Sequence, residues 1–206
     1  MLKKTKLSDI LNQSFFKPYL IDGELETLLI KWPKTTIYST TLKFEQDHFN
    51  YWSKIVCGKK NKRGEVLFAI QHGKKYLVHT KKYYPNSAFR LLTGGIHKKE
   101  PVFDALTREV AEETSMQIVD SQLFAILFYT FINGEKTIPF VSYMFKVCPD
   151  NYIPVVQDDG ENISDFQWAN LSQMIKIISG LTNLPKDWKD WGKMRSIPHK
   201  ILINNF

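Results

Sequence analysis

The chain has 206 residues, of which 43% are hydrophobic, 14% aromatic and 24% charged, and its formal net charge is +7. This composition excludes an intrinsically disordered chain and is enough for one sizeable hydrophobic core. The two cysteines, Cys57 and Cys148, exclude a disulfide framework and belong to no metal-binding spacing.

No apolar run reaches the roughly 18 to 20 residues of a membrane-spanning helix. The N-terminal residues, MLKKTKLSDILNQ, lack the apolar region of a secretory signal, so we expect a cytoplasmic protein that does not enter a membrane. The positive charge favours an anionic substrate or a nucleic acid, or else reflects lysines scattered over a solvated surface. The densest basic cluster, GKKNKRG at 58–64, is expected at a turn, where it helps to attract phosphates.

In chain order, residues 1–53 have the weakest pattern and are interpreted as an N-terminal extension packed on, or part of, the main domain. Within them, alternation in WPKTTIYSTTLKFEQ (32–46) indicates extended structure. The runs EVLFAIQ (65–71) and KYLVHTKKY (75–83) predict two strands joined by a turn at His72-Gly73. Farther along, the Gly94-Gly95 pair predicts a tight bend with positive φ or a close approach of the backbone to a ligand.

A helix is predicted from Pro101 to about Thr114, because proline suits the first helical turn. Its expected buried stripe consists of Phe103, Leu106, Val110 and Thr114.

After this helix, the runs LFAILFYTFI (123–132) and IPFVSYMFKV (138–147) predict strands joined by a hairpin at Asn133-Gly134. An acidic loop, QDDGEN (157–162), precedes a strand at 166–169 and a helix at 171–179. Strands around a central helix predict an α/β fold, a mixed β-sheet packed between helices.

The central helix carries an unusual group of acids. Glu109, Glu112 and Glu113 fall within an arc of roughly 100° on the helical wheel. Like charges at these spacings each cost a few tenths of a kcal/mol, and acids at a helix C-terminus oppose the macrodipole. A divalent hard cation such as Mg²⁺ or Mn²⁺ would neutralise the group, since carboxylates suit such ions. The alternative is a solvated acidic helix face.

These residues resemble the Nudix box, G-x5-E-x7-R-E-U-x-E-E-x-G-U, where U is a bulky aliphatic residue. The matching positions are Gly94, Glu100, Arg108-Glu109-Val110, Glu112-Glu113 and Met116. Ser115 stands where the family has its last glycine, so we expect an altered helix exit and an intact catalytic set. The order of strands from about 54 to 178 is also similar to the Nudix fold, so residues 54–206 are identified as a Nudix hydrolase domain.

The resemblance implies a Nudix-like α/β/α sandwich and a metal-dependent pyrophosphohydrolase. Such enzymes cleave the phosphoanhydride of a nucleoside diphosphate linked to another moiety, and ADP-ribose or a nucleotide sugar is the default substrate. The resemblance makes Glu109, Glu112 and Glu113 metal ligands, together with the carbonyl of Gly94, with Mg²⁺ or Mn²⁺ as cofactor. Arg108 and Glu100 would brace the loop against the helix.

The general base has two candidates under this resemblance. Some family members use the box glutamate that corresponds to Glu109, and others use a glutamate from a later loop. Here the acidic loop offers Glu161, with Asp158 and Asp159 as neighbours that could substitute. A solvated turn is the alternative reading of this loop.

Other functions stay open at this stage. A Nudix module could sense a nucleotide or bind nucleic acid without hydrolysis, although such regulators usually lose box carboxylates. Isomerisation of an isoprenoid diphosphate would need a catalytic cysteine, and neither cysteine is placed for it. Trp188 and Trp191 could stack on a nucleobase or pin a C-terminal element, and Arg90 could reach a phosphate or lie at the surface. A homodimer with an exchanged N-terminal strand is also possible.

Overall fold

A computed structural model of the chain describes residues 2–58, 62–85, 88–156, 160 and 162–205. Within them, eight strands form a mixed sheet: β1 Lys3–Lys4, β2 Thr36–Lys43, β3 Lys62–His72, β4 Lys75–Lys81, β5 Leu92–His97, β6 Ile118–Asn133, β7 Lys136–Pro149 and β8 Ile163–Ala169. The α-helices are α1 Leu7–Leu11, α2 Glu24–Lys31, α3 Gln46–Val56, α4 Val102–Thr114, α5 Leu171–Thr182 and α6 Lys189–Ile203. Ser14–Tyr19 and Lys186–Trp188 form short 3₁₀ helices.

The predicted α/β fold with a mixed sheet is confirmed. The strands expected at 65–71, 75–83, 123–132, 138–147 and 166–169 correspond to β3, β4, β6, β7 and β8. The expected hairpin between β6 and β7 turns at Gly134, whose φ of +56° requires the conformational freedom of glycine. None of the described helices is long and apolar enough to cross a membrane.

The chain divides into two compact units, of which the first comprises the described residues within 1–67, 94–106 and 122–145. Its strands follow the order β1-β2-β6-β7-β3, and β5 also pairs with β3. β1 is antiparallel to β2, whereas β2 runs parallel to β6 with Thr36 opposite Ala125. Residues before 53 therefore supply two strands of this sheet. The predicted domain boundary at residue 54 stays a prediction.

Aromatic side chains form much of the core of the first unit. Trp52 on α3 packs against Phe131 and Phe140, with ring centroids 5.2 and 4.8 Å away. Phe44 stacks on Phe131 at 4.5 Å. All four side chains are nearly inaccessible to solvent. Because each buries a large apolar area, this cluster holds α3 against β6 and β7.

The second unit comprises the described residues within 68–93, 107–121 and 146–206. Its part of the sheet has the order β3-β4-β8, and all these pairings are antiparallel. Helix α5 begins with a capping box, in which Asn170 accepts from the Gln173 backbone and Gln173 accepts from the Asn170 backbone. Gly192 lets α6 approach α5 closely, since a Cβ there would overlap the Leu181 carbonyl.

The two C-terminal tryptophans belong to an aromatic cluster of the second unit. Trp188 and Trp191 contact each other at 5.2 Å between centroids, and Tyr84 lies 4.7 Å from Trp191. Trp191 is buried. This arrangement agrees with a role in pinning α6 to the core.

One predicted buried position is wrong. Phe103 was placed on the buried stripe of the central helix, but it is 37% exposed, with the Lys31 ammonium 4.8 Å from its ring centroid. Val102 and Ala105 are buried instead. The apolar stripe therefore begins at Val102, one position earlier than predicted. Phe103 can remain partly exposed because the Lys31 side chain covers its ring.

Candidate active site

Helix α4 carries the three predicted carboxylates on its C-terminal half. Leu106 and Val110 are fully buried and fix the orientation of the helix. Glu109 and Glu113 lie one turn apart and are 5% and 0% exposed, whereas the side chain of Glu112 is 36% exposed. A solvated acidic face is therefore excluded for Glu109 and Glu113.

Arg108 links two of these acids. Its Nη1 donates to Glu109 Oε1 at 2.7 Å and to Glu112 Oε2 at 2.9 Å. One guanidinium nitrogen thus lies between two carboxylates that would otherwise repel each other. The predicted brace between Arg108 and Glu100 stays a prediction.

Glu113 pairs with a lysine that the sequence analysis did not single out. Lys81, the last residue of β4, places Nζ 3.6 Å from Glu113 Oε1, and their side chains are 8% and 0% exposed. A buried carboxylate needs a compensating charge, because desolvation strongly disfavours its ionised form. β4 is buried on both faces at this end. The sequence therefore lacks the alternation of apolar and polar residues that would have indicated that Lys81 is buried.

Glu100 lies in the first unit, in the turn between β5 and α4. Its Oε2 accepts from the backbone N–H of His97 at 2.9 Å, which closes that turn. Its main-chain carbonyl accepts from Arg63 Nε and Nη2 at 3.1 and 2.7 Å. Glu100 therefore orders the turn before the helix through contacts that the sequence did not indicate, and its predicted role in the site stays a prediction.

The Gly94-Gly95 pair does not form the predicted bend. Both residues lie within β5, and neither has a positive φ. The advantage of glycine here is space, because a Cβ at Gly95 would lie 3.0 Å from side-chain carbons of Lys62. Lys62 Nζ donates to the Gly95 carbonyl at 3.1 Å and contacts the His97 ring. The sequence predicted a turn here because neighbouring residues in a sequence do not show which distant side chain, in this case Lys62, packs against a strand.

The last residues of the basic cluster at 58–64 lie in a strand, and Gly58 lies at a bend. β3 begins at Lys62, and Arg63 is only 3% exposed. Both side chains are engaged inside the protein, Lys62 with Gly95 and Arg63 with Glu100. Arg63 is therefore unavailable to attract phosphates from solvent, and residues 59–61 lie outside the described residues.

The donor set of α4 fits a divalent cation in its chemistry. Carboxylate oxygens are the ligands that Mg²⁺ and Mn²⁺ prefer. In the described parts of the chain, no three His, Cys, Asp or Glu side chains are already grouped around a possible metal position. Instead, Arg108 and Lys81 provide positive charge beside the acids. Cation binding would require these two side chains to give up part of those contacts.

The sequence match that decides the family spans most of the chain. Residues 47–191 match the family model described as the NUDIX domain. The chain belongs to the NUDIX family. This membership confirms the predicted Nudix pyrophosphohydrolase. We call α4 the Nudix helix, because it carries most of the residues that resemble the Nudix box. No protein with a curated description matches the chain in sequence.

Solved Nudix structures resemble this chain in fold. Tm1382, a candidate Nudix hydrolase, has a TM-score of 0.50 at 14% identity, covering 100% of this chain and 89% of its own. A NUDIX hydrolase from Nitrosomonas europaea has a TM-score of 0.46 at 18% identity, covering 66% and 93%. The NUDIX domain of Shewanella oneidensis NrtR, solved with ADP ribose, has a TM-score of 0.44 at 14% identity, covering 66% and 86%.

Ser115 ends the Nudix helix in the conformation of the glycine it replaces. Its φ is +57°, in the left-handed region, and its N–H donates to the Ala111 carbonyl at 2.8 Å. The altered helix exit expected from the sequence is therefore not observed. A serine in this region is strained because its Cβ approaches the following carbonyl.

Replacing this serine by glycine should stabilise the protein. Ser115→Gly removes the Cβ strain but adds flexibility to the unfolded chain, so we expect a net gain of about 0.5 to 1 kcal/mol. Urea denaturation of Ser115→Gly and of the unaltered chain measures this difference in the free energy of unfolding. Ser179→Gly, inside helix α5, should instead destabilise by a similar amount, since glycine is unfavourable in a helix interior.

Arg90 is neither at the surface nor free for a substrate phosphate. It is 4% exposed, and Nη1 donates to the Leu91 carbonyl and to Thr93 Oγ1, both at 2.8 Å. Its Nε donates to the Tyr84 hydroxyl at 2.8 Å. Arg90 therefore orders the backbone just before β5.

Two buried histidines accompany Arg90 in the second unit. His199 Nε2 accepts from the Leu91 N–H at 3.0 Å, and Nδ1 lies 2.8 Å from the Arg195 carbonyl, so the ring is neutral with its proton on Nδ1. Burial, with a smaller contribution from the guanidinium groups of Arg90 and Arg195, lowers the pKa of His199 to about 4. Burial also lowers the pKa of His79 well below its ordinary value. The His199 ring therefore links α6 to the backbone just before β5.

Acid should destabilise the protein through His199. Because its pKa falls from 6.5 in the unfolded chain to about 4 in the folded one, the unfolded state binds the proton more readily. The stabilisation is fully present above pH 6.5 and is lost as the pH falls towards 4. Between pH 7.5 and 5 we expect a loss of about 2 kcal/mol from this group. Urea denaturation of His199→Gln should show a correspondingly smaller loss of stability between pH 7.5 and 5. A loss equal to that of the unaltered chain would show that His199 is not its source.

The last candidate residue belongs to the acidic loop at 157–162. Glu161, predicted as a base or a further ligand, lies outside the described residues, as do Asp158 and Asp159. Its role stays a prediction.

Proposed function

We propose that this Nudix hydrolase uses Mg²⁺ or Mn²⁺ to cleave the phosphoanhydride of a nucleoside diphosphate linked to another moiety. The observation that supports it best is the placement of Glu109 and Glu113, two nearly inaccessible acids one turn apart on α4. Burying carboxylates costs several kcal/mol unless cations compensate. Arg108 and Lys81 supply part of the compensating charge. Divalent cations bound for pyrophosphate chemistry would supply the rest.

In this proposal Glu109, Glu112 and Glu113 hold the metal, and the Gly94 carbonyl completes part of its coordination. When bound, the metal neutralises the pyrophosphate, orients the attacking water and lowers its pKa. Arg108 keeps Glu109 and Glu112 close together, and Lys81 balances Glu113. Glu100 orders the turn that precedes the helix.

The chain also has to move one proton. Water adds its hydroxyl to one phosphorus, and the bridging oxygen leaves with the other phosphate group. Glu109 or Glu161 accepts the proton that the water releases. Two acids in different segments would suffice if one binds metal while the other acts as the base.

The substrate we propose by default is ADP-ribose or a related nucleotide sugar. Family members differ in substrate through residues outside the box, so dinucleoside polyphosphates, NADH, coenzyme A, nucleoside triphosphates and RNA caps belong in the same test.

The test is a substrate panel with identification of the products. Each compound is incubated with the protein and Mg²⁺ or Mn²⁺, and release of a nucleoside monophosphate is measured by chromatography. Turnover that disappears on addition of EDTA supports the proposal. Nucleotide binding by calorimetry without any turnover would favour the alternative, a nucleotide-sensing Nudix module that does not hydrolyse its ligand.

A further inference from the structure

Glu24, in the N-terminal region, contacts the start of the Nudix helix. It is the first residue of α2, and its Oε1 accepts from the backbone N–H of Val102, the first residue of α4, at 2.8 Å. The first N–H groups of any helix have no partner inside the helix. Pro101, the preceding residue, has no N–H and offers no side-chain acceptor. Glu24 therefore caps α4 from a segment 78 residues away.

Arg63 fixes this contact from a second side. Its Nη2 lies 2.9 and 2.8 Å from the two oxygens of Glu24, and the same guanidinium group donates twice to the Glu100 carbonyl. The side chains of Arg63 and Glu24 are only 2% and 12% exposed. One buried ion pair thus joins three segments, namely α2, β3 and the turn before α4. The first unit contains all four residues of this contact, namely Glu24, Arg63, Glu100 and Val102.

The Glu24 contact lies at the N-terminal end of the helix that carries the proposed metal ligands. Val102 and Glu109 are two turns apart on the same continuous helix, a distance of about 10 Å along its axis. A negative charge at a helix N-terminus is also favoured by the macrodipole. Tilting or fraying the first turn would displace the carboxylates farther along, and a displacement of about 1 Å can lower turnover on the order of 100-fold.

We propose that Glu24 is a positioning residue of this hydrolase, which sets the Nudix helix through Val102 and Arg63. Its side chain contacts Val102 and Arg63, and neither is a proposed metal ligand. The proposal rests on the proposed function for its effect on turnover. It goes beyond the family match, since residue 24 precedes the matched residues 47–191. The N-terminal region would then be part of the working enzyme.

The test compares three variants of the full chain. Glu24→Ala removes both contacts, and Glu24→Gln keeps an oxygen for the Val102 N–H but loses the charge that pairs with Arg63. Glu26→Gln is the matched control, because Glu26 lies on the same helix and is exposed. Three experiments are made on each variant. They measure amide hydrogen exchange at residues 102–106, Mn²⁺ affinity by electron paramagnetic resonance, and the steady-state kinetics (kcat and KM) on the best substrate.

For Glu24→Ala we expect at least tenfold faster exchange in the first turn of α4, weaker Mn²⁺ binding, and kcat lowered about 10- to 100-fold with KM little changed. Glu24→Gln should recover part of each loss, and Glu26→Gln should match the unaltered chain. Unchanged exchange in both Glu24 variants would overturn the proposal, as would unchanged Mn²⁺ affinity and kcat despite faster exchange. Exchange and Mn²⁺ affinity need no substrate, so they decide the matter even if the panel finds no turnover.

Discussion

Glu112→Gln should lower kcat by about 100- to 1,000-fold while the protein stays folded. The substitution preserves the size of the side chain but removes one negative charge from the proposed metal-binding group, and losses of this size follow the removal of one charge-stabilising group from an active site. Because the Glu112 side chain is 36% exposed and its partner Arg108 is 28% exposed, the free energy of unfolding should change by less than about 1 kcal/mol.

Steady-state kinetics with Mn²⁺, together with urea denaturation, separate these two effects. Asp104→Asn is the matched control, since it removes an exposed carboxylate from the first turn of the same helix. It should leave kcat unchanged. A Glu112→Gln protein that retains turnover within threefold of the unaltered chain would show that Glu112 is not a ligand.

Lys81→Met should destabilise the metal-free protein by about 3 to 5 kcal/mol. The substitution keeps the bulk of the buried stem but removes the ammonium group that lies 3.6 Å from Glu113, and breaking one side of a buried ion pair is strongly unfavourable. If Glu113 binds a divalent cation, Mn²⁺ should recover part of this loss. Mn²⁺ should therefore stabilise the variant more than the unaltered chain.

Urea denaturation in EDTA and in excess Mn²⁺ measures both effects. Lys75→Met is the control, because Lys75 is on the same strand and exposed, so it should change stability by less than about 0.5 kcal/mol. Equal losses of stability in the two variants would show that Lys81 does not compensate the charge of the acids on α4. A loss in Lys81→Met that Mn²⁺ does not reduce would argue against Glu113 as a ligand.

The parts of the fold that were predicted correctly all have short-range signals. The strands at 65–71 and 138–147 are apolar runs bounded by turn residues, and the Nudix helix follows a proline and a periodic apolar pattern. The grouping of the three acids on one side of the helix was predicted because sequence spacing alone determines which residues share a helix face. The sequence also correctly suggested extended structure at 32–46, where β2 lies.

The parts that were missed depend on contacts between distant residues. Glu24 and Lys81 look like ordinary charged residues in the sequence, and only the folded chain brings them to α4. Arg63 was assigned to a basic surface cluster because its acidic partner lies 39 residues away. The Gly94-Gly95 pair was interpreted as a bend because the side chain that occupies the space beside Gly95, that of Lys62, lies 33 residues away in sequence.

The parallel pairing of β2 with β6 constrains how the protein is made on the ribosome. Thr36 is paired with Ala125, so β2 is synthesised about ninety residues before its neighbour in the sheet. At typical elongation rates this interval lasts roughly 5 to 20 s. During that time one edge of a nascent β-strand with three buried apolar or aromatic residues, Ile37, Tyr38 and Leu42, is open to other chains or to a chaperone.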